Sequence, residues 1–247
     1  MTEFFKLTLE LGAAVLIIRL AVLPAIEQRF IAYPFSFRAV IAVDLLTMLF
    51  YAVVTSPAAE YVAGRIGIRA PVPHEISELP TIIRVSLYLV VGDLAHYWLH
   101  RLMHQPFLWR IHKWHHSPMH MSWSAGARAT FFDNTTVTLG YVFAWPFLGV
   151  ASYKLQLALL TFAVLKNDWM HLNVRWRVGW MEWLLVTPRY HHIHHSANSQ
   201  HFTTNLAPLF SIWDRLFGTY SNPDLVVGKL EFGIGEKVAP ARLVMGL

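Results

Sequence analysis

The chain has no cysteine among its 247 residues, which excludes disulfides, thiolate metal sites, cysteine-ligated iron–sulfur clusters and a cysteine nucleophile. Charge is scarce: Asp, Glu, Lys and Arg make up 14% of residues against 55% hydrophobic, where a soluble domain carries about a quarter charged. That balance points to a membrane. No G-x-G-x-x-G stretch is present, and no haem, flavin or nicotinamide is expected on this chain. H-E-x-x-H and Glu-x-x-His pairs are also missing, which removes the zinc-protease and soluble di-iron bundle motifs. The net charge of +5 is scattered among aromatics and histidines with no Lys/Arg block, so nucleic acid is not an expected partner. No linker, low-complexity tract or repeat divides the chain, and residues 1–247 read as one integral-membrane domain.

Clean runs of twenty apolar residues are missing too, yet five segments come close to spanning a hydrocarbon core of about 30 Å. They are Leu7 to Ile26, Val40 to Thr55, the stretch opened by Pro80, Asn134 to Val150, and Leu155 to His171. The first lacks a basic leader and a small-residue cleavage site, and reads as a retained helix. If the segments alternate, Arg29, Arg38, Arg101, Arg110, Lys113, Arg128, Arg175, Arg177 and Arg189 share one side. Lys6, Arg65, Arg69, Arg84 and Lys154 occupy the other. The excess marks the first side, which also carries the histidine clusters, as cytoplasmic. The expected fold is all-α, with four to five transmembrane helices and a cytoplasmic histidine-rich helical cap. The Trp/Arg-rich stretch from Asn173 to His195 suits the headgroup layer, and "LFSIWDRLFGTYSNPD" is expected to pack beneath the histidines.

What the chain has in abundance is histidine, and thirteen of its fourteen lie between His96 and His201. His96, His100 and His104 recur every four residues, a stripe on one helical face, with Asp93 one turn before them. "HKWHH" places His112 opposite His115 and His116, and "HHIHH" repeats that geometry with His191, His194 and His195. His171 ends the fifth segment, four residues after Asn167. His74, His120 and His201 stand alone and read as hydrogen-bonded interfacial side chains. So many imidazoles gathered as cations would repel, whereas neutral imidazoles around a metal are stabilised. Their number exceeds one zinc site and favours two metals close together; imidazole itself suits iron, copper, nickel and zinc alike.

The spacings "HRLMH", "HKWHH" and "HHIHH", with the flanks "DLAHYWLHRLMH", "LWRIHKWHHS", "TPRYHHIHHS" and "WDRLFGTY", resemble the eight-histidine signature of the fatty acid hydroxylase/sterol desaturase superfamily. The likeness covers a catalytic core at residues 93–220. It implies a non-haem di-iron centre held by His100, His104, His112, His115, His116, His191, His194 and His195, with His171 as a ninth ligand by analogy with membrane desaturases. His96 is an extra ligand or a donor behind the ligands, the latter favoured. Asn167 marks the ninth-ligand motif, and Asp93, Asp168 and Asp214 are expected to orient imidazole N–H groups. The implied chemistry is O2-dependent hydroxylation or desaturation of a lipid or sterol C–H bond. Electrons would come from a separate cytochrome b5, ferredoxin or reductase. The chain departs from the pattern at Asn205, Leu206 and Ala207, where Asn-Tyr-Gly is common, and at Thr130, where a histidine is frequent; both departures are expected to bear on the substrate-facing surface. The rival reading is a histidine-rich metal-binding or metal-transport protein, disfavoured because the clusters sit at helix ends rather than along a midplane path.

Overall fold

A computed structural model describes residues 3–55, 57–58, 61–62, 65, 72–149 and 151–236 of the chain. Arg69 and Val150, named above, lie outside the described residues. Among the described residues there is no β-strand, only two isolated bridges, Leu185–Phe210 and Ser196–Phe232. The main elements are α1 (Glu3–Phe30), α2 (Phe37–Phe50), α3 (Thr81–Met103), α4 (Trp109–His112), α5 (Phe131–Val142), α6 (Tyr153–His171), α7 (Pro188–His194) and α8 (Ile212–Leu216).

Two of these, α1 and α3, are long and apolar enough to cross a membrane. Helix α1 turns large apolar side chains such as Leu9, Leu16, Ile17 and Leu20 outward, which in water would be an unsatisfied hydrophobic surface. Its one internal arginine is accounted for. Arg19 sits in a π-helical turn, Ile18–Val22, and forks onto Asp168 of α6 through bonds of 2.8 and 2.9 Å. Helix α2 continues through a π turn, Tyr51–Thr55. Helix α6 has 19 residues but carries Lys154, Lys166 and Asp168, and is not among the long apolar helices.

The fourth expected span is not one helix. Thr130 and Asp133 form a capping box that starts α5 three residues earlier than the apolar run suggests. Helix α5 ends at Val142, and a separate turn, Trp145–Leu148, follows with Pro146 in its first positions. Gly149, at φ +68°, then reverses the chain.

Helix α3 packs chiefly on α5, α1 on α6, and α6 on α7. Below the histidines lies an apolar core of Tyr97, Met170, Val186, Tyr190, Leu206 and Ala207, joined by Trp213, Phe217 and Tyr220 from the C-terminal part. The WDRLFGTY stretch is therefore a floor for the site. Asp214 fixes it, accepting from the backbone N–H of Leu206 and Ala207 (both 2.8 Å) and from the hydroxyls of Tyr190 (2.7 Å) and Thr219 (2.6 Å).

Candidate metal centre

Four short pieces of backbone deliver the imidazoles. The stripe on α3 carries His100, with His104 capping the helix end. Helix α4 is a single turn followed by further turns, which lets His112, His115 and His116 face inward from a loop. Helix α7 begins with Pro188, favoured in a first turn, and presents His191, His194 and His195 from its last turn. His171 is the final residue of α6.

These nine residues fall into two adjoining groups. One ring nitrogen from each of His100, His104, His112, His116 and His194 lies within 4.8 Å of one from every other member, and the same holds for His115, His171, His191 and His195. The groups touch through the stacked rings of His116 and His195, 4.4 Å apart, and through those of His112 and His115 at 5.0 Å.

Tautomers follow from the outer partners. His100 Nδ1 donates to the Leu206 carbonyl (2.7 Å) and His112 Nδ1 to the Asp133 carboxylate (2.6 Å). Each neutral ring thus has a bare lone pair on Nε2. Yet those two Nε2 atoms stand 3.0 Å apart with no proton to share. Protonating them is opposed by burial: desolvation first, then neighbouring imidazoles, hold His112 well below its ordinary pKa, and the same causes act on His116, His191, His194 and His195. In the second group His171 Nδ1 donates to the Asn167 carbonyl (2.8 Å), so its Nε2 lone pair faces His195 Nε2 at 3.2 Å and His191 Nε2 at 3.3 Å. His194 donates Nδ1 to the Thr204 carbonyl, and its buried Nε2 has no hydrogen-bond partner; nor has that of His116. Lone pairs turned on one another in a dry interior are repulsive unless a cation sits among them. The donor set fits metal ions.

Comparison with known proteins agrees with this chemistry. The model of the fatty acid hydroxylase family matches residues 85–219. The chain belongs to the fatty acid hydroxylase family. Among its relatives, alkylglycerol monooxygenase of Xenopus tropicalis is 30% identical over 52% of this chain and 28% of that protein. Ornithine lipid hydroxylase OlsE of Rhizobium tropici is 33% identical over 65% of this chain and 48% of that protein, and human cholesterol 25-hydroxylase 31% over 61% and 56%. The chain spans at most 32% of the vertebrate alkylglycerol monooxygenases it matches. No solved structure matches it.

Several expected roles for this fatty acid hydroxylase family member need correction. His96 joins neither group: its ring centroid is 6.1 Å from that of His100, and its backbone packs against Gly140 of α5. Asp93 orients no imidazole; it accepts from the Phe210 N–H (2.9 Å) and Trp213 Nε1 (3.0 Å), tying α3 to the C-terminal floor. Asp168 is engaged by Arg19. Asp214 acts one step removed, holding the Leu206 backbone whose carbonyl orients His100. Asn167 lies behind His171 as expected of the motif, through its backbone carbonyl. His120 is not interfacial but buried, 3.1 Å from Asp44; His201 bonds to the Ser196 hydroxyl, and exposed His74 lies 3.6 Å from Glu78.

A carboxylate that does reach an imidazole of the two groups, Asp133, was missed. Its signal was the Thr130-x-x-Asp133 capping pattern, which fixes the carboxyl beside the second histidine box. The two departures from the family pattern therefore support the histidines: Thr130 holds Asp133 Oδ2 through its N–H (3.0 Å), and Leu206 supplies the His100 acceptor. Asn205, at φ +53°, is tolerated there because its amide bridges the Tyr190 and Ser221 carbonyls. Asp133→Asn is expected to weaken metal affinity by about 10–100-fold, read by iron titration of the purified protein; unchanged affinity would show the contact to be incidental.

Proposed function

We propose that this chain is a membrane-bound non-haem di-iron oxygenase that hydroxylates a lipid or sterol C–H bond, with desaturation as the related outcome. The observation that carries the reading is the pair of proton-free Nε2 lone pairs of His100 and His112 facing each other at 3.0 Å. His100, His104, His112, His116 and His194 would hold one iron, and His115, His171, His191 and His195 the other. Two ferrous ions bound there supply the redox chemistry of O2 activation. The protein's own part is positional. Leu206, Thr204, Arg128 and Asn167 carbonyls and the Asp133 carboxylate lock the Nδ1 protons outward, so that Nε2 of each of those rings is free to ligate. Burial excludes water, and the apolar bed of Tyr97, Met170 and Leu206 prevents the imidazoles from turning to solvent.

The overall balance is R–H + O2 + 2 electrons + 2 protons giving R–OH and water, and the electrons come from a separate cytochrome b5, ferredoxin or reductase. The relatives are named for alkylglycerol, ornithine lipid and cholesterol, all of them amphiphiles. A multi-pass arrangement with the site on the cytoplasmic face would let such a molecule enter from the bilayer, with residues 93–220 as catalytic core of a single domain. The test is incubation of the iron-loaded protein in liposomes with 18O2, a reductant and, separately, an alkylglycerol, an aminolipid and a sterol. One substrate is expected to gain a single 18O atom. Exchangeable zinc or nickel, with no label in any lipid, would favour the metal-transport reading instead.

A further inference from the structure

A second buried polar assembly is centred on Asp44 of α2. Its carboxylate is fully buried and receives bonds from Ser124 Oγ (2.6 Å), Arg128 Nη2 (2.8 Å) and Arg128 Nε (3.2 Å), with His120 Nε2 at 3.1 Å. All three partners lie on the connector between α4 and α5. An ionised group in such a place is costly unless fully partnered, so the connector and α2 are bound to each other.

Residues 120–128 of that connector also meet the histidines, at His115 and His171. The Arg128 carbonyl accepts from His115 Nδ1 at 3.2 Å. Gly126 lies flat against the His171 ring: a Cβ there would stand 2.8 Å from His171 Cε1 and 2.6 Å from Asn167 Nδ2. His115 and His171 both belong to the four-imidazole group. In the five-imidazole group, His100, His112 and His194 take their Nδ1 partners elsewhere, on Leu206, Asp133 and Thr204.

We infer that Asp44 is a positioning residue for the four-imidazole half of the metal centre, holding the connector that sets the His115 tautomer and seats His171. The inference rests on the metal-centre reading above. Arg128 is the coupling element: its side chain forks onto Asp44 while its own carbonyl orients His115. Removing the carboxylate charge leaves that guanidinium, only 8% exposed, without its counter-ion, and the connector has to shift.

The experiment is ferrous iron titration of the full-length protein in detergent, with metal counted by elemental analysis and Mössbauer spectra recorded. Wild type is expected to bind two irons as a coupled pair. Asp44→Asn is expected to keep one iron at wild-type affinity and to lose about 10–100-fold for the other, leaving an isolated mononuclear ferrous spectrum. Two irons at wild-type affinity, or equal loss of both, would overturn the inference. Should D44N fail to accumulate folded, Arg128→Lys decides, because it keeps the charge opposite Asp44 and removes the fork; the same one-sided, smaller loss supports the inference, and no loss or a symmetric one overturns it. A wild-type protein that binds no iron would be visible before any variant is made, and would sink the metal-centre reading itself.

Discussion

His194→Ala is expected to lower lipid turnover to below about 1% of wild type and to reduce bound iron from two ions per chain to one or none. The ring of His194 lies 4.8 Å from that of His100 and 4.7 Å from those of His104 and His116, centroid to centroid, so it touches three of the other four members of its group. Its Nδ1 proton is committed to the Thr204 carbonyl, which leaves a buried Nε2 with no hydrogen-bond partner. Loss of a group that merely orients a ligand costs about 10–100-fold, and loss of a ligand at the hub should meet or exceed the upper end. The comparison that gives the result meaning is His201→Ala. His201 follows the third box closely in sequence, yet it bonds to the Ser196 hydroxyl and belongs to neither group. That variant is expected to retain both irons and at least about half of the activity, since His201 is a half-buried side chain outside both groups and surface substitutions away from such sites are usually within about 0.5 kcal/mol. Equal damage from the two changes would mean that general destabilisation, rather than ligand loss, explains the His194 result.

The contrast between those residues shows what a linear reading captures. Histidines recurring at i, i+3 and i+4 are a local signal, because one helical turn is enough to bring them to one face; α3 and α7 obey it. His171 was found from Asn167, also within one turn, although the contact runs through a backbone carbonyl that sequence does not display. The outer partners are another matter. Asp133 lies 21 residues from His112, and Asp44 lies 76 to 84 residues from the connector groups it holds, so no periodicity links them. Asp93 and Asp168 were assigned to imidazoles because they stand near histidines in the sequence, but each faces a different neighbour in space, the C-terminal floor and α1. The fourth span failed for a related reason. Apolar composition runs on through residues 134–150, while Pro146 and the positive φ of Gly149 break the backbone beneath it.

Gly126→Ala is expected to disable the four-imidazole half with a single methyl group. The Cβ would press on the His171 ring and on the Asn167 amide at distances that real side chains do not tolerate. His171 is buried at the end of α6 and tied by its Nδ1 proton to the Asn167 carbonyl. It cannot retreat without breaking that bond and swinging Nε2 away from His191 and His195. Affinity for the second iron should drop by about 10–100-fold, with turnover falling in parallel, while the five-imidazole half keeps its metal. Gly12→Ala is the control. It lies on α1 with nothing within 4 Å of its Cβ position, so turnover and iron content should be unchanged and stability should rise by up to about 1 kcal/mol through helix propensity. Combining G126A with D44N then tests whether the connector acts as one body. Because both changes reach the same imidazoles through the same nine residues, 120–128, the double variant should lose little more iron than the worse single one. Additive losses would mean that Asp44 and Gly126 reach the centre by separate routes.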